Sequence, residues 1–80
     1  MKPWYVYMVR CKDNSLYTGI TNDLTARITK HNSRNGAKYT RSRQPVVLVW
    51  SKKMKSESDA RKQEALIKKL TKNEKEKLIK

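Results

Sequence analysis

Two phenols, a guanidinium, an imidazole and a carboxylate stand out in this sequence by where they fall: Tyr7, Tyr17, Arg27, His31 and Glu64. In the stretch LYTGITNDLTARITKH, Leu16 to His31, helical spacing from Leu24 gives a face made of Leu24, Arg27, Ile28 and His31. Leucine and isoleucine at these positions belong in a core, yet an arginine and the chain's only histidine share the stripe. Spacing from Ala60 does the same for a later helix, whose face is Ala60, Gln63, Glu64 and Ile67 with Leu66 and Leu70 alongside. The other acids, Asp13, Asp23, Glu57, Asp59, Glu74 and Glu76, fall at turns, caps or terminal-helix positions, so Glu64 is the acid placed to face a sheet. Phenol and imidazole groups can pass protons, a guanidinium holds anions and a carboxylate holds hard cations. A partly buried Arg27–Glu64 salt bridge would account for the two charges without any chemistry. Snorkelling of the long arginine stem over apolar surface would account for Arg27 alone.

The elements that must position these groups follow from pattern. WYVYMVRC, Trp4 to Cys11, is aromatic and β-branched and reads as a strand. KDNS, Lys12 to Ser15, is turn chemistry, and LYTGI, Leu16 to Ile20, completes a hairpin. Trp4, Val6 and Met8 point to one side of the first strand and Tyr5, Tyr7 and Val9 to the other. Bulky groups on both faces make the sheet a middle layer with helices above and below. Tyr17 and Gly19 share one side of the second strand, with Tyr7 and Tyr17 close across the pair in a suitable register. Gly19 leaves room for backbone or ligand to approach. A helix starts at Thr21 to Asp23 and runs to about Asn32; Ser33 to Pro45 reads as a long basic loop; Val46 to Ser51 is a third strand. Ser56 with Asp59 resembles a capping box for a helix running to about Leu70, and Thr71 with Glu74 repeats the signal for a short terminal helix over Lys72 to Lys80. The expected fold is α+β, a central three-stranded antiparallel sheet flanked by helices in the order β-β-α-β-α-α, and its 80 residues make one domain.

Charge bears on partners. There are 20 Lys and Arg against 7 Asp and Glu, a formal net charge of +13, which favours nucleic acid as partner. The apolar run VVLVW, Val46 to Trp50, is far short of the roughly 20 residues that span a bilayer. No membrane partner is expected, and the N-terminus has no signal-peptide core, which points to a cytoplasmic protein. One cysteine and one histidine cannot build a structural zinc site, and Cys11, at the end of an apolar strand, reads as a buried thiol.

YVY at Tyr5 to Tyr7, YTG at Tyr17 to Gly19, Arg27 and His31 on the following helix and Glu64 on a later one resemble the GIY-YIG nuclease domain. More closely, with the runs LYTGIT and GAKYTR, the chain resembles the small stand-alone bacterial proteins of that superfamily. The first motif lacks the usual Gly and Ile, and Thr18 occupies the middle of the second. The resemblance implies metal-dependent cleavage of a phosphodiester, usually in DNA, with a single Mg²⁺ or Mn²⁺ ion. It implies catalytic roles for Tyr7, Tyr17, Arg27 and His31, a metal-binding role for Glu64 and a motif glycine at Gly19. Arg27 would stabilise charge on nonbridging oxygens. Tyr7 would be the general base or orient the attacking water. A phenol of ordinary pKa near 10 is a poor base at neutral pH, so nearby positive charge is expected to lower it.

The segment KHNSRNGAKYTRSR carries Lys30, Arg34, Lys38, Arg41 and Arg43 with no acid, and Tyr39 among them. Cations for phosphates and a ring for a base make it a candidate nucleic-acid-binding surface. Two further readings are a nucleic-acid-binding module that keeps the scaffold without chemistry, and an accessory subunit in DNA repair. In either case a protein partner could supply specificity.

Overall fold

A computed structural model describes residues 3–79. Strand β1 spans Trp4–Arg10, β2 Leu16–Thr21 and β3 Val47–Met54; helix α1 spans Leu24–His31, α2 Lys38–Arg41, α3 Glu57–Lys68 and α4 Lys72–Ile79. The three strands form one antiparallel sheet in the order β2-β1-β3, so the aromatic first strand lies in the centre. This is the expected α+β architecture, with one added turn of helix, α2, in the segment read as loop. Lys80, where the sequence reading ended the last helix, lies outside the described residues.

The alternation of β1 sorts two small cores. Val6 and Met8 pack with Ala60 and Ile67 of α3, rimmed by Trp4, Ile20, Val49, Trp50, Met54 and Ile79. Tyr7, Val9, Cys11 and Val46 form the core on the other face, covered by Tyr17 and by Leu24 and Ile28 of α1. A bulge on β3 sets Met8 opposite Trp50 but Val9 opposite Leu48. It explains how Val49 and Trp50, adjacent in sequence, both pack against the first core. Cys11 is a buried free thiol, as read from the sequence.

Local chemistry fixes the ends of the elements. In the hairpin turn Asn14 takes a left-handed φ of 70°, which asparagine tolerates well. The Asp13 carboxylate accepts from the Ser15 N–H at 3.1 Å. Asp23 caps α1 by accepting from Ala26 N–H at 3.1 Å, and Ser56 caps α3 by accepting from Asp59 N–H at 3.1 Å. Thr71 and Glu74 form a reciprocal capping box, each side chain accepting from the other's backbone N–H, at 3.2 and 2.9 Å. Two hydrogen bonds of 2.8 and 2.6 Å from Arg10 to Glu76 tie α4 to the central strand.

The segment between α1 and β3 is held closely against the end of α1. The Asn32 amide pairs with the backbone of Val46, accepting from its N–H at 2.7 Å and donating to its carbonyl at 3.0 Å. Gln44 donates to the carbonyls of His31 and Ser33 at 2.9 and 2.6 Å. A Cβ at Gly36 would sit 2.9 Å from the Lys30 carbonyl oxygen and 3.0 Å from the His31 Cα, so only glycine lets the chain pass this close. These contacts seat α2 beside His31. Among the described residues no helix is long and apolar enough to cross a membrane.

Candidate active site

Tyr7 lies at the middle of the central strand, directly opposite Gly19. The sequence suggested an approach of backbone or ligand at Gly19; the occupant is the Tyr7 phenol itself. A Cβ at position 19 would stand 2.6 Å from the Tyr7 hydroxyl oxygen and 2.8 Å from Cζ. Glycine is therefore the residue that lets the ring lie flat across β2.

The Tyr7 hydroxyl meets His31 Nε2 at 2.7 Å, and His31 Nδ1 meets Thr40 Oγ1 at 2.8 Å. Tyr7 and His31 are each 1% exposed and Thr40 is fully buried. The chain of contacts continues from the Thr40 hydroxyl, which donates to the Ala37 carbonyl at 3.1 Å. Helix α1 delivers His31 from its last turn and α2 delivers Thr40. Thr40 was not singled out from the sequence, because a four-residue helix shows no periodicity and its cap residue, Ala37, makes no side-chain cap. The run GAKYTR marked the segment without marking the threonine.

Tyr17 pairs with Val9 rather than with Tyr7, which makes the two phenols diagonal neighbours on one face. Its ring meets the imidazole of His31 edge-on, at 5.2 Å between centroids and 67°. Its other neighbour is Tyr39, stacked at 5.7 Å and 28°. The Arg43 guanidinium lies 4.1 Å from the centre of the Tyr39 ring, bonds Asp13 at 2.9 Å and donates to the Tyr39 carbonyl at 2.8 Å. Tyr39 and Arg43 thus buttress Tyr17, a placement different from the free ring and free cation expected of a binding loop. Lys30, Arg34, Lys38 and Arg41 are exposed, as that reading requires.

Arg27 is half-buried one helical turn before His31. It borders a groove of about 190 Å³ with Thr21, Asn22, Asp23, Ala26 and Lys30. Among the described residues no hydrogen bond or ion pair engages its guanidinium. Glu64, half-buried on α3, has Lys68 as its ion partner, at 3.3 Å. The plain Arg27–Glu64 salt bridge is therefore not present. Both charges nevertheless reach Tyr7: Arg27 pulls its pKa down and Glu64 pushes it up.

Burial dominates the electrostatics. It raises the pKa of Tyr7 well above the ordinary phenol value, helped by Tyr17 and Glu64 and opposed by Arg27. The expected lowering by positive charge does not win, since a phenolate at this buried position loses more hydration than one guanidinium returns. Burial also lowers the pKa of His31, with Arg27 and then Lys30 adding to it. Near neutral pH both partners are uncharged, a phenol facing an imidazole.

Among the described residues no group of three or more His, Cys, Asp or Glu is placed to share a metal. Glu64, whose charge reaches Tyr7, is the candidate donor, a single hard carboxylate. That fits an ion such as Mg²⁺, which keeps several waters and uses one or two carboxylates, and does not fit zinc.

The sequence matches the family model described as the GIY-YIG catalytic domain over residues 3–77. A UPF0213 protein of Staphylococcus haemolyticus is 51% identical over 79 residues, covering 99% of this chain and 96% of that protein. A UPF0213 protein of Clostridium perfringens is 53% identical over 75 residues, covering 94% and 81%. Among solved structures, the solution NMR structure of the UPF0213 protein BH0048 from Bacillus halodurans superposes with a TM-score of 0.62 at 45% identity, covering 96% of this chain and 82% of that one. The solution NMR structure of the protein EF2693 from E. faecalis gives a TM-score of 0.64 at 42% identity, covering 98% and 84%. Nucleases with this domain generally depend on a divalent metal ion. By the span of the domain match and by these relatives, the chain belongs to the GIY-YIG nuclease family, within the UPF0213 group of small bacterial proteins.

Proposed function

We propose that the protein hydrolyses phosphodiester bonds in DNA with one divalent ion, Mg²⁺ or Mn²⁺, held by Glu64. The observation that carries this reading is the 2.7 Å contact between the Tyr7 hydroxyl and His31 Nε2, with the charge of Arg27, whose guanidinium has no partner among the described residues, acting on both. A neutral phenol hydrogen-bonded to a neutral imidazole can relay a proton. The attacking water must reach the Tyr7 hydroxyl, buried in the free protein, when substrate binds; Tyr7 then takes its proton as its own hydroxyl proton passes to His31 Nε2. No free phenolate has to accumulate, so the raised pKa of Tyr7 is no obstacle.

Arg27 offers charge-assisted hydrogen bonds to the nonbridging oxygens of the scissile phosphate. That anion also offsets the imidazolium that forms beside Arg27 and Lys30. Tyr17 holds the imidazole in plane through its edge contact. A bound ion at Glu64 would supply positive charge at the leaving oxygen. Lys30, Arg34, Lys38 and Arg41 supply exposed cations for flanking phosphates.

A second reading, a DNA-binding module without chemistry, has the Glu64–Lys68 pair in its favour, since the one candidate metal ligand already has a partner. Incubation with supercoiled plasmid, single strands and branched DNA in Mg²⁺, Mn²⁺ or EDTA separates the two. Metal-dependent nicking that is lost in Arg27→Ala and Glu64→Ala, with binding retained, supports the nuclease. Salt-sensitive binding with no cutting of any substrate supports the module.

A further inference from the structure

We infer that Thr40 is a positioning residue that fixes the tautomer of His31, so that Nε2 and not Nδ1 is the proton acceptor facing Tyr7. The role in proton relay rests on the proposed function; the tautomer does not.

The argument is a count of protons. Three groups share two buried contacts: the Tyr7 hydroxyl, one imidazole N–H and the Thr40 hydroxyl. If the imidazole proton is on Nδ1, it donates to Thr40, Thr40 donates to the Ala37 carbonyl at 3.1 Å, and Tyr7 donates to Nε2. Every donor then has an acceptor. If the proton is on Nε2 instead, the ring donates to Tyr7 and Thr40 must turn its hydroxyl toward Nδ1. The Tyr7 O–H, 1% exposed, is then left with no acceptor, and a buried unsatisfied donor is costly. The Ala37 carbonyl, which also accepts from the Arg41 N–H at 2.9 Å, is in place to accept from the Thr40 hydroxyl in the first pattern.

The surrounding backbone makes this a built feature. Gly36 lets the chain pack on the carbonyl of Lys30 and the Cα of His31, which sets the distance between α1 and α2. The Arg43 N–H donates to the Thr40 carbonyl at 3.0 Å and closes the turn behind it. Thr40 makes no contact with solvent, so its hydroxyl has no aqueous alternative.

The chain has a single histidine, so the imidazole nitrogen signals in an NMR spectrum of the whole protein belong to His31. The wild type should show protonated Nδ1 and an unprotonated Nε2 above its titration range. Thr40→Ser should retain that pattern, and Thr40→Val, similar in shape but without the hydroxyl, should narrow the preference, since either tautomer then leaves one buried donor without an acceptor. In plasmid nicking, Thr40→Val should lower kcat by about 10- to 100-fold, by analogy with metal-bound histidines that lose their orienting partner, with KM little changed, and Thr40→Ser should recover most of it. An Nε2–H tautomer in the wild type overturns the inference, and so does an unchanged tautomer preference in Thr40→Val. Should Thr40→Val fail to fold, the wild-type and Thr40→Ser spectra decide, with Nε2–H in either counting against it. A wild type that cuts nothing but shows the Nδ1–H tautomer removes the nuclease reading and leaves the tautomer assignment standing.

Discussion

Tyr7 and Gly19 face each other across β1 and β2, and the phenol fills the volume where a Cβ at position 19 would lie. Alanine in a strand interior normally gains roughly 0.5–1 kcal/mol over glycine. Here Gly19→Ala places a methyl 2.6 Å from the Tyr7 hydroxyl oxygen, the same atom that bonds His31. The ring must tilt away and the hydrogen bond to His31 Nε2 must lengthen. The expected result is a net loss of about 1–3 kcal/mol, the usual cost of overpacking, read as a lower urea midpoint with unchanged slope. Nicking should fall with it. A Gly19→Ala variant as stable as wild type would mean the phenol is not held as described.

Removing only the hydroxyl separates packing from proton transfer. Tyr7→Phe keeps the ring over Gly19 but leaves His31 Nε2 without its donor. Loss of one hydrogen bond costs about 0.5–1.5 kcal/mol, whereas loss of a general base costs about 10²–10⁴-fold in rate. A rate loss far larger than the stability loss supports Tyr7 as a proton carrier; a loss of similar size in both would reduce it to packing. DNA binding in EDTA should be unchanged.

The depressed pKa of His31 gives stability a pH dependence of definite sign. The folded state holds His31 neutral below its ordinary value of 6.5, so the unfolded chain binds a proton first on acidification. Stability conferred by the neutral imidazole is complete above about pH 6.5 and is lost as pH falls toward the folded pKa. Asp13 and Glu74, whose pKa values are also lowered, add a separate loss only below their ordinary values of 3.8 and 4.5. Thermal denaturation between pH 7.5 and 5 should therefore show a fall that His31→Gln flattens. The nicking rate should rise over the same window and level off above it, since the relay needs an unprotonated Nε2.

What the sequence revealed divides along physical lines. Period-two alternation in β1 and the apolar stripes of α1 and α3 carried the layering, because burial leaves a repeating mark. Arg27, His31 and Glu64 were legible because each interrupts such a stripe. The Tyr7–Gly19 pairing was not, since it depends on register, which the turn around Asn14 sets. Thr40 left no mark because α2 is one turn long and its partners lie on α1, brought close by Gly36, Asn32 and Gln44. The direction of the Tyr7 shift was missed for a related reason: composition gives the sum of charges, while burial of one phenol depends on packing.

The basic segment should divide into two classes under substitution. Lys30, Arg34, Lys38 and Arg41 are exposed, whereas Arg43 is engaged by Asp13 and Tyr39. Alanine at any of the first four that contacts a phosphate should reduce the slope of log K against log salt by about 1 on duplex DNA. Arg43→Ala should leave that slope nearly unchanged and instead loosen the Tyr39–Tyr17 stack, visible in the His31 ring signals. Fluorescence anisotropy titrations at several salt concentrations make the comparison. Equal slopes for all five variants and wild type would remove this segment from the DNA interface.

Glu64 and Lys68 supply the last test, since the pair competes with any cation for the carboxylate. A helix-surface pair one turn apart contributes only about 0.3–0.5 kcal/mol, and the lysine here is exposed, so Lys68→Ala should barely move the melting temperature. It should, however, free the carboxylate and lower the Mg²⁺ concentration at which nicking is half-maximal. Glu64→Gln keeps the size of the side chain and removes its charge, and should abolish metal-stimulated cutting while preserving binding in EDTA. It should also lower the pKa of Tyr7, because the negative charge of Glu64 helps to hold it up. Metal titrations of wild type and both variants, followed by plasmid nicking and by Mn²⁺-induced broadening of nearby NMR signals, read these effects separately. Unchanged metal dependence in Glu64→Gln would mean the ion is held elsewhere, whatever the fate of the Tyr7–His31 relay.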